Sequence, residues 1–225
     1  MKDNLFTIFY ITLVATFFTA CVAVVHSTTR ERIRLNEQLA ERRVILKVLR
    51  IDVPPDAKLQ QFNETYENRV KETGITIQTQ AHTVPVLEAR SADGEVMGYA
   101  FKLVGQGFWD TLRGYMAIEP DLKSIRGLSF YEQSETPGLG AEITEPWFEE
   151  QFRNKTISRE RANSDDQVIR LMRAGREQET GDVDAVTGAT ETSKRVERII
   201  DTTLKSFLTT MRDKGQSDHR NQNIP

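Results

Sequence analysis

Residues 4–26 contain no Asp, Glu, Lys or Arg. About twenty such residues are what a helix needs to cross the hydrocarbon core of a bilayer. Lipid offers no partner to backbone N–H and C=O groups, so an internally bonded helix is the conformation expected there. We therefore read residues 1–27 as a single transmembrane anchor. Two other readings compete for the same residues. A cleaved secretory signal would open on a stronger basic region than Lys2 beside Asp3 and would need a shorter apolar core. A lipoprotein cleavage site at Phe18, Thr19, Ala20 and Cys21 would place phenylalanine where a small aliphatic residue is usual. Cys21 is the only cysteine, so no intramolecular disulfide can form.

Beyond the anchor, the spacing of Ile33, Leu35, Leu39, Ile45, Leu46 and Leu49 predicts a helical stalk over 28–54, ended by Pro54 and Pro55. Leu59, Phe62, Tyr66 and Val70, three and four apart, predict an amphipathic helix stopped by Gly74. Strands are expected at 75–79, 86–90, 96–103, 112–119 and 124–133. Asp93-Gly94 makes one hairpin and Pro120-Asp121 another turn. A short helix around 147–152 and an apolar run at 168–172 follow. The last helix starts near Thr190 or Thr192, with Val196, Ile199, Ile200, Thr203, Phe207, Leu208 and Met211 on one stripe that should lie on the sheet. This is an α+β domain over 55–214, a twisted antiparallel sheet with packed helices, and the polar tail 215–225 is expected to be disordered.

The formal net charge of −3 supplies no strong attraction to nucleic acid. His26, His82 and His219 are too scattered for a metal site of ordinary spacing, and no Ser-His-Asp or Cys-His constellation is visible. Hydrolysis is a poor fit.

Three stretches carry chemistry. Residues 184–193 read Asp-Ala-Val-Thr-Gly-Ala-Thr-Glu-Thr-Ser, placing the hydroxyls of Thr187, Thr190, Thr192 and Ser193 at a helix entrance. The first N–H groups of a helix have no internal acceptors and favour a negative group, which Gly188 lets approach the backbone. The plainer alternative makes Thr190 or Thr192 an ordinary N-cap. Gly105, Gln106, Gly107, Phe108 and Trp109 form either a strand-ending loop that sets Trp109 against an aromatic ligand or the surroundings of a core tryptophan. Glu135, Thr136, Pro137, Gly138, Leu139 and Gly140 suit a type II turn with Pro137 and Gly138 at its centre, in a loop that either approaches a ligand or closes a hairpin.

Taken in order with the anchor, Gly105 to Trp109, the run from Gly127 to Gly140 and the run from Val183 to Thr190 resemble the flavin-carrying subunit of membrane redox pumps. These are the C subunit of the sodium-translocating NADH:quinone reductase and the G subunit of the Rnf complex. The resemblance covers residues 96–200 and the anchor. It implies FMN joined through a phosphoester to Thr190, with Thr187, Gly188, Ala189, Thr192 and Ser193 around it. It also implies a loop of Glu135, Thr136, Gly138, Leu139 and Gly140 beside the ring, Leu139 near its face. Lys155 matches a family lysine with a phosphate or structural role. Thr187 stands where serine is common.

The implied function is an electron-transfer subunit of an ion-translocating oxidoreductase complex, assembled with other subunits in the bacterial inner membrane and loaded by a flavin transferase. The alternative is a membrane-tethered regulatory or sensing flavin domain. Arg30, Arg32 and Arg34 after the anchor point to a cytoplasmic body, whereas the resemblance implies a periplasmic flavin domain, and we follow the resemblance. The wording of the motifs leans to the sodium-pumping reductase and the compact length to Rnf.

Overall fold

The computed structural model describes residues 2–54, 57–80, 82–162, 164–176 and 179–222. It divides into two units, residues 1–41 and 42–225. Helix α1 runs Lys2–Val48. It contains an 18-residue window of mean hydropathy 2.4, none of it buried, and is long and apolar enough to cross a membrane. Phe6, Phe9, Phe17 and Phe18 stand exposed along it, as lipid-facing side chains would.

In the second unit, helix α2 spans Leu59–Arg69 and is followed by strands β1 Val70–Gln78, β2 Thr83–Arg90, β3 Val96–Gln106, β4 Thr111–Ile118 and β5 Ile125–Glu132. They pair antiparallel in sequence order. Alternate residues divide between two cores, as the two-residue period of a strand requires. Val86, Phe101, Leu103, Met116, Leu128 and Phe130 face one layer. Leu87, Ala89, Ala100, Tyr115 and Ala117 face the other, with Ile45, Leu46, Val48 and Leu49.

The first layer holds helix α5, Thr190–Gln222. Val196, Ile199, Ile200, Leu204 and Phe207 are all fully buried, and the Phe207 and Phe101 rings sit 4.7 Å apart. Between β5 and α5 come a 3-10 turn Gly140–Thr144, α3 Pro146–Glu149, a second 3-10 turn Glu150–Phe152 and α4 Arg159–Ala162. Two short strands, β6 Arg170–Met172 and β7 Asp182–Asp184, pair in parallel.

Three expectations change. The first long helix stops at Val48, before Pro54, because Arg50 takes a left-handed conformation (φ 53°) and the Ile51 amide closes on the Leu46 carbonyl at 3.0 Å. The end of this helix is part of the domain core and not a free stalk, resting so near strand β5 that a Cβ on Gly127 would meet the Val48 carbonyl oxygen at 2.7 Å. Gly74 does not stop α2, which ends at Arg69. Gly74 (φ 74°) lies inside β1, where the register with β2 shifts between Glu72 and Thr76, the place glycine takes at a bulge. Helix α5 continues past Lys214 to Gln222, where a disordered tail was expected, and residues 223–225 lie outside the described residues.

Candidate functional site

The motif at 184–193 is held by what precedes it. The β6 and β7 strands run side by side, Met172 opposite Asp184, and the Ala185 amide donates to the Met172 carbonyl at 2.7 Å. The chain then turns. The Ala189 amide donates to the Val186 carbonyl at 3.1 Å, with Thr187 and Gly188 between them and Gly188 at φ 80°. That is the pattern of a type II turn, whose third residue needs a positive φ. Helix α5 begins at the next residue, Thr190.

The loop at 135–140 repeats the device. The Leu139 amide donates to the Thr136 carbonyl at 3.1 Å across Pro137 and Gly138, the latter at φ 70°, so the expected type II turn is present. The two turns face each other: a Cβ on Gly188 would lie 3.0 Å from Leu139 Cδ2.

Glu135 joins all three motifs. Its side chain is 4% exposed. Oε1 accepts from the backbone amides of Phe108 and Trp109 at 2.8 and 3.1 Å, and Oε2 accepts from Thr192 Oγ1 at 2.5 Å. Charge-assisted bonds of this kind are about twice as strong as neutral ones. Gly140 is required beside this junction, since a Cβ there would meet Thr192 Oγ1 at 2.6 Å. Trp109 is not a core residue. It stands 65% exposed with Nε1 donating to Thr136 Oγ1 at 3.1 Å.

The four hydroxyls of the motif separate into two kinds. Thr192 and Ser193 are buried and committed: Thr192 to Glu135, and Ser193 Oγ as acceptor for the Val186 amide at 3.2 Å. Thr187 and Thr190 are exposed and make no side-chain hydrogen bond among the described residues. Both open onto a cavity of about 680 Å3, within the usual range of about 300–1,000 Å3 for ligand pockets. Gly188, Ser193 and Lys194 of the turn and helix line it together with Ala185 and Val186 before the turn and Leu171, Arg173 and Ala174 of the β6 segment. Two free hydroxyls, two cations and the apolar side chains of Leu171, Ala174, Ala185 and Val186 fit a phosphate joined to a mostly apolar group. Phe108 and Leu139 are also solvent-exposed.

Lys155 lies elsewhere. Its Nζ donates to the Asp182 carbonyl at 2.7 Å, bracing β7. The other side of Asp182 is more heavily held. Its carboxylate, 1% exposed, accepts from Arg161 at 2.9 Å, from Arg170 at 3.0 Å and from the Glu179 amide at 3.0 Å. Burial alone would push this carboxyl up; the Arg170 bond, the Glu179 amide and Arg161 together outweigh it and hold the group at about 2. Glu197 and Asp201 on α5 pin the neighbouring strand, accepting from the Leu171 and Val168 amides at 2.6 and 2.7 Å. Burial pushes the Glu197 carboxyl up, opposed by the Leu171 amide and reinforced by Asp201.

Sequence reasoning missed Arg173, Lys194 and the Asp182 cluster. Strands of three residues are too short to show a period, and charged residues in a polar stretch carry no signal until the fold gathers them. Among the described residues no group of three or more His, Cys, Asp or Glu could hold a metal ion.

A family model described as an FMN-binding domain matches residues 107–205. The C subunit of Na(+)-translocating NADH-quinone reductase from Neisseria meningitidis serogroup A is 36% identical over 121 residues, covering 54% of this chain and 46% of the relative. The corresponding protein of Vibrio alginolyticus is 34% identical over 128 residues, covering 56% and 48%. The chain thus spans about half the length of these curated relatives. The crystal structure of the same reductase component from Parabacteroides distasonis superposes with a TM-score of 0.64 at 28% identity, over 80% of this chain and 94% of that one. Shewanella oneidensis NqrC shares the fold, with a TM-score of 0.63 at 22% identity over 76% and 94%.

Proposed function

We infer, from the premise that this chain belongs to the FMN-binding domain family and is similar to the C subunit of Na(+)-translocating NADH-quinone reductase, that it is an electron-transfer subunit of a membrane-bound, ion-translocating oxidoreductase. It carries FMN covalently on Thr190. The observation that carries the reading is the division of the hydroxyls: Thr192 and Ser193 are consumed in holding the loop, while Thr190 is free at a helix start beside the cavity.

A phosphoester on Thr190 Oγ leaves one negative charge on the phosphate. The unpaired N–H groups of the first turn of α5 and the positive end of its dipole favour that charge. The flavin supplies one- and two-electron transfer when bound, so the chain's residues have only to hold and orient it. That accounts for a site without an acid–base constellation. Leu139 and Trp109, exposed beside the two turns, offer apolar surface to the ring, and tethering keeps its concentration at the next carrier high. A single-pass anchor at α1 holds the chain in the bacterial inner membrane with the flavin domain on the periplasmic side, among other redox subunits, and a flavin transferase installs the FMN.

The test is expression with a flavin transferase, followed by denaturing electrophoresis. The wild-type and Thr187→Ala bands should fluoresce and the Thr190→Ala band should be dark; a fluorescent Thr190→Ala band refutes the attachment site. Purification in mild detergent should recover the chain with hydrophobic redox subunits, and recovery of the chain alone would point instead to a tethered regulatory domain.

A further inference from the structure

We propose that Arg173 is the phosphate clamp of this site, binding the flavin phosphoryl group in the cavity that Thr190 also lines. The proposal rests on reading the cavity as a flavin site and adds to it a cation that lies outside the 184–193 motif.

The fold places Arg173. It is the first residue after β6, and the parallel register that sets Met172 opposite Asp184 brings the next residue level with Ala185, at the foot of the Thr187-Gly188 turn. Arg173 therefore lines the same cavity as Thr187 and Thr190. Leu171 and Ala174, its neighbours on that wall, are apolar, so the guanidinium is the polar group this side presents.

Charge bookkeeping at the cavity leaves one cation uncommitted. Lys194 is paired with Glu191 at 3.0 Å, and Lys194 holds the Glu191 carboxyl below its usual value. Arg173 makes no hydrogen bond or ion pair among the described residues. Glu191 does not line the cavity, and Lys194, which does, is engaged with the Glu191 carboxylate. Arg173 supplies the balancing charge, and its planar fork suits bidentate contact with phosphate oxygens. The site thus takes its anion between a helix start and a guanidinium contributed by the residue that follows strand β6.

The test uses the full chain made without flavin transferase, in mild detergent, titrated with FMN and with riboflavin, which lacks the phosphate. Flavin fluorescence reports binding. Wild type should prefer FMN. Arg173→Ala should lose about tenfold in FMN affinity, the order expected for one charge-assisted contact in a solvent-open cavity, and leave riboflavin affinity unchanged. Arg173→Lys should recover part of the loss, and added salt should erode the wild-type preference. Equal loss of both flavins in Arg173→Ala, an unchanged FMN affinity, or no FMN preference in wild type overturns the clamp. Failure of the clamp and failure of the attachment site separate cleanly, because the attachment site is read by the fluorescence of the Thr190→Ala band on the denaturing gel and the clamp by the FMN-over-riboflavin preference of wild type against Arg173→Ala in the titration.

Discussion

Replacing Asp182 by Asn tests how the approach to the motif is held. The carboxylate is 1% exposed and faces two guanidinium groups, Arg161 and Arg170, themselves 12% and 32% exposed. Lowering its pKa from an ordinary 3.8 to about 2 corresponds to about 2 kcal/mol of stability at neutral pH. Asparagine keeps the shape and one acceptor but leaves both arginines with only the exposed carboxylate of Glu179 as a charged partner, so Asp182→Asn should cost about 2–3 kcal/mol at pH 7. The folded carboxyl binds its proton less tightly than the unfolded one. Its contribution is therefore complete above pH 3.8 and is lost as the pH falls through that value toward about 2. The difference between wild type and variant should be flat from pH 7 to about 5 and shrink below it. Urea unfolding of the full chain, followed by the fluorescence of Trp109 and Trp147, confines the readout to the 42–225 unit, where both tryptophans lie. A loss under about 0.5 kcal/mol, the ordinary surface value, or one that does not change between pH 7 and 3, refutes the account.

Glu135→Ala removes the acceptor shared by Phe108, Trp109 and Thr192; stability should fall by about 2–3 kcal/mol and limited proteolysis should cut first in the 105–110 or 133–140 loops, whereas an unchanged digestion pattern would count against the junction. Glu197 has a folded pKa raised above the unfolded value, so its favourable contribution is present below pH 4.5 and is lost as the pH rises through the folded pKa. Glu197→Gln, which keeps an acceptor for the Leu171 amide, should gain stability relative to wild type between pH 4.5 and 7, read by thermal unfolding, and a constant difference over that range would contradict the burial argument. Gly188→Ala forces a Cβ onto a residue at φ 80° and 3.0 Å from Leu139 Cδ2. It should cost about 1–2 kcal/mol, and a neutral effect on the melting temperature would mean that the turn relaxes freely.

Features written in local pattern were legible before any coordinates. The five strands, the Asp93-Gly94 hairpin, the type II turn at Pro137 and Gly138 and a start of α5 at Thr190 or Thr192, of which the structure takes Thr190, all follow from side-chain period or turn chemistry. Features decided by partners far along the chain were not. Gly74 reads as a helix stop until strand pairing with β2 claims Val70 onward. Thr192 reads as a cap or ligand until Glu135, remote in sequence, takes its hydroxyl. The 3-residue strands β6 and β7 draw their order from Asp182 and from Glu197 on α5, so the wall that carries Arg173 had no signature of its own. The α5 stripe continues only to Met211 by pattern, while the helix itself runs on to Gln222.

The two facing turns bear on how the site fills. Each is closed by its own backbone hydrogen bond, and the junction at Glu135 is complete with protein donors alone. Nothing in that framework waits for a ligand to supply a missing partner. Filling such a preorganised cleft immobilises the incoming group and little of the chain, so the entropy lost on occupancy falls on the guest. Exchange protection of the Leu139 and Ala189 amides should then be the same in the empty and the loaded chain, and delivery, not refolding, should govern how fast the cofactor is seated.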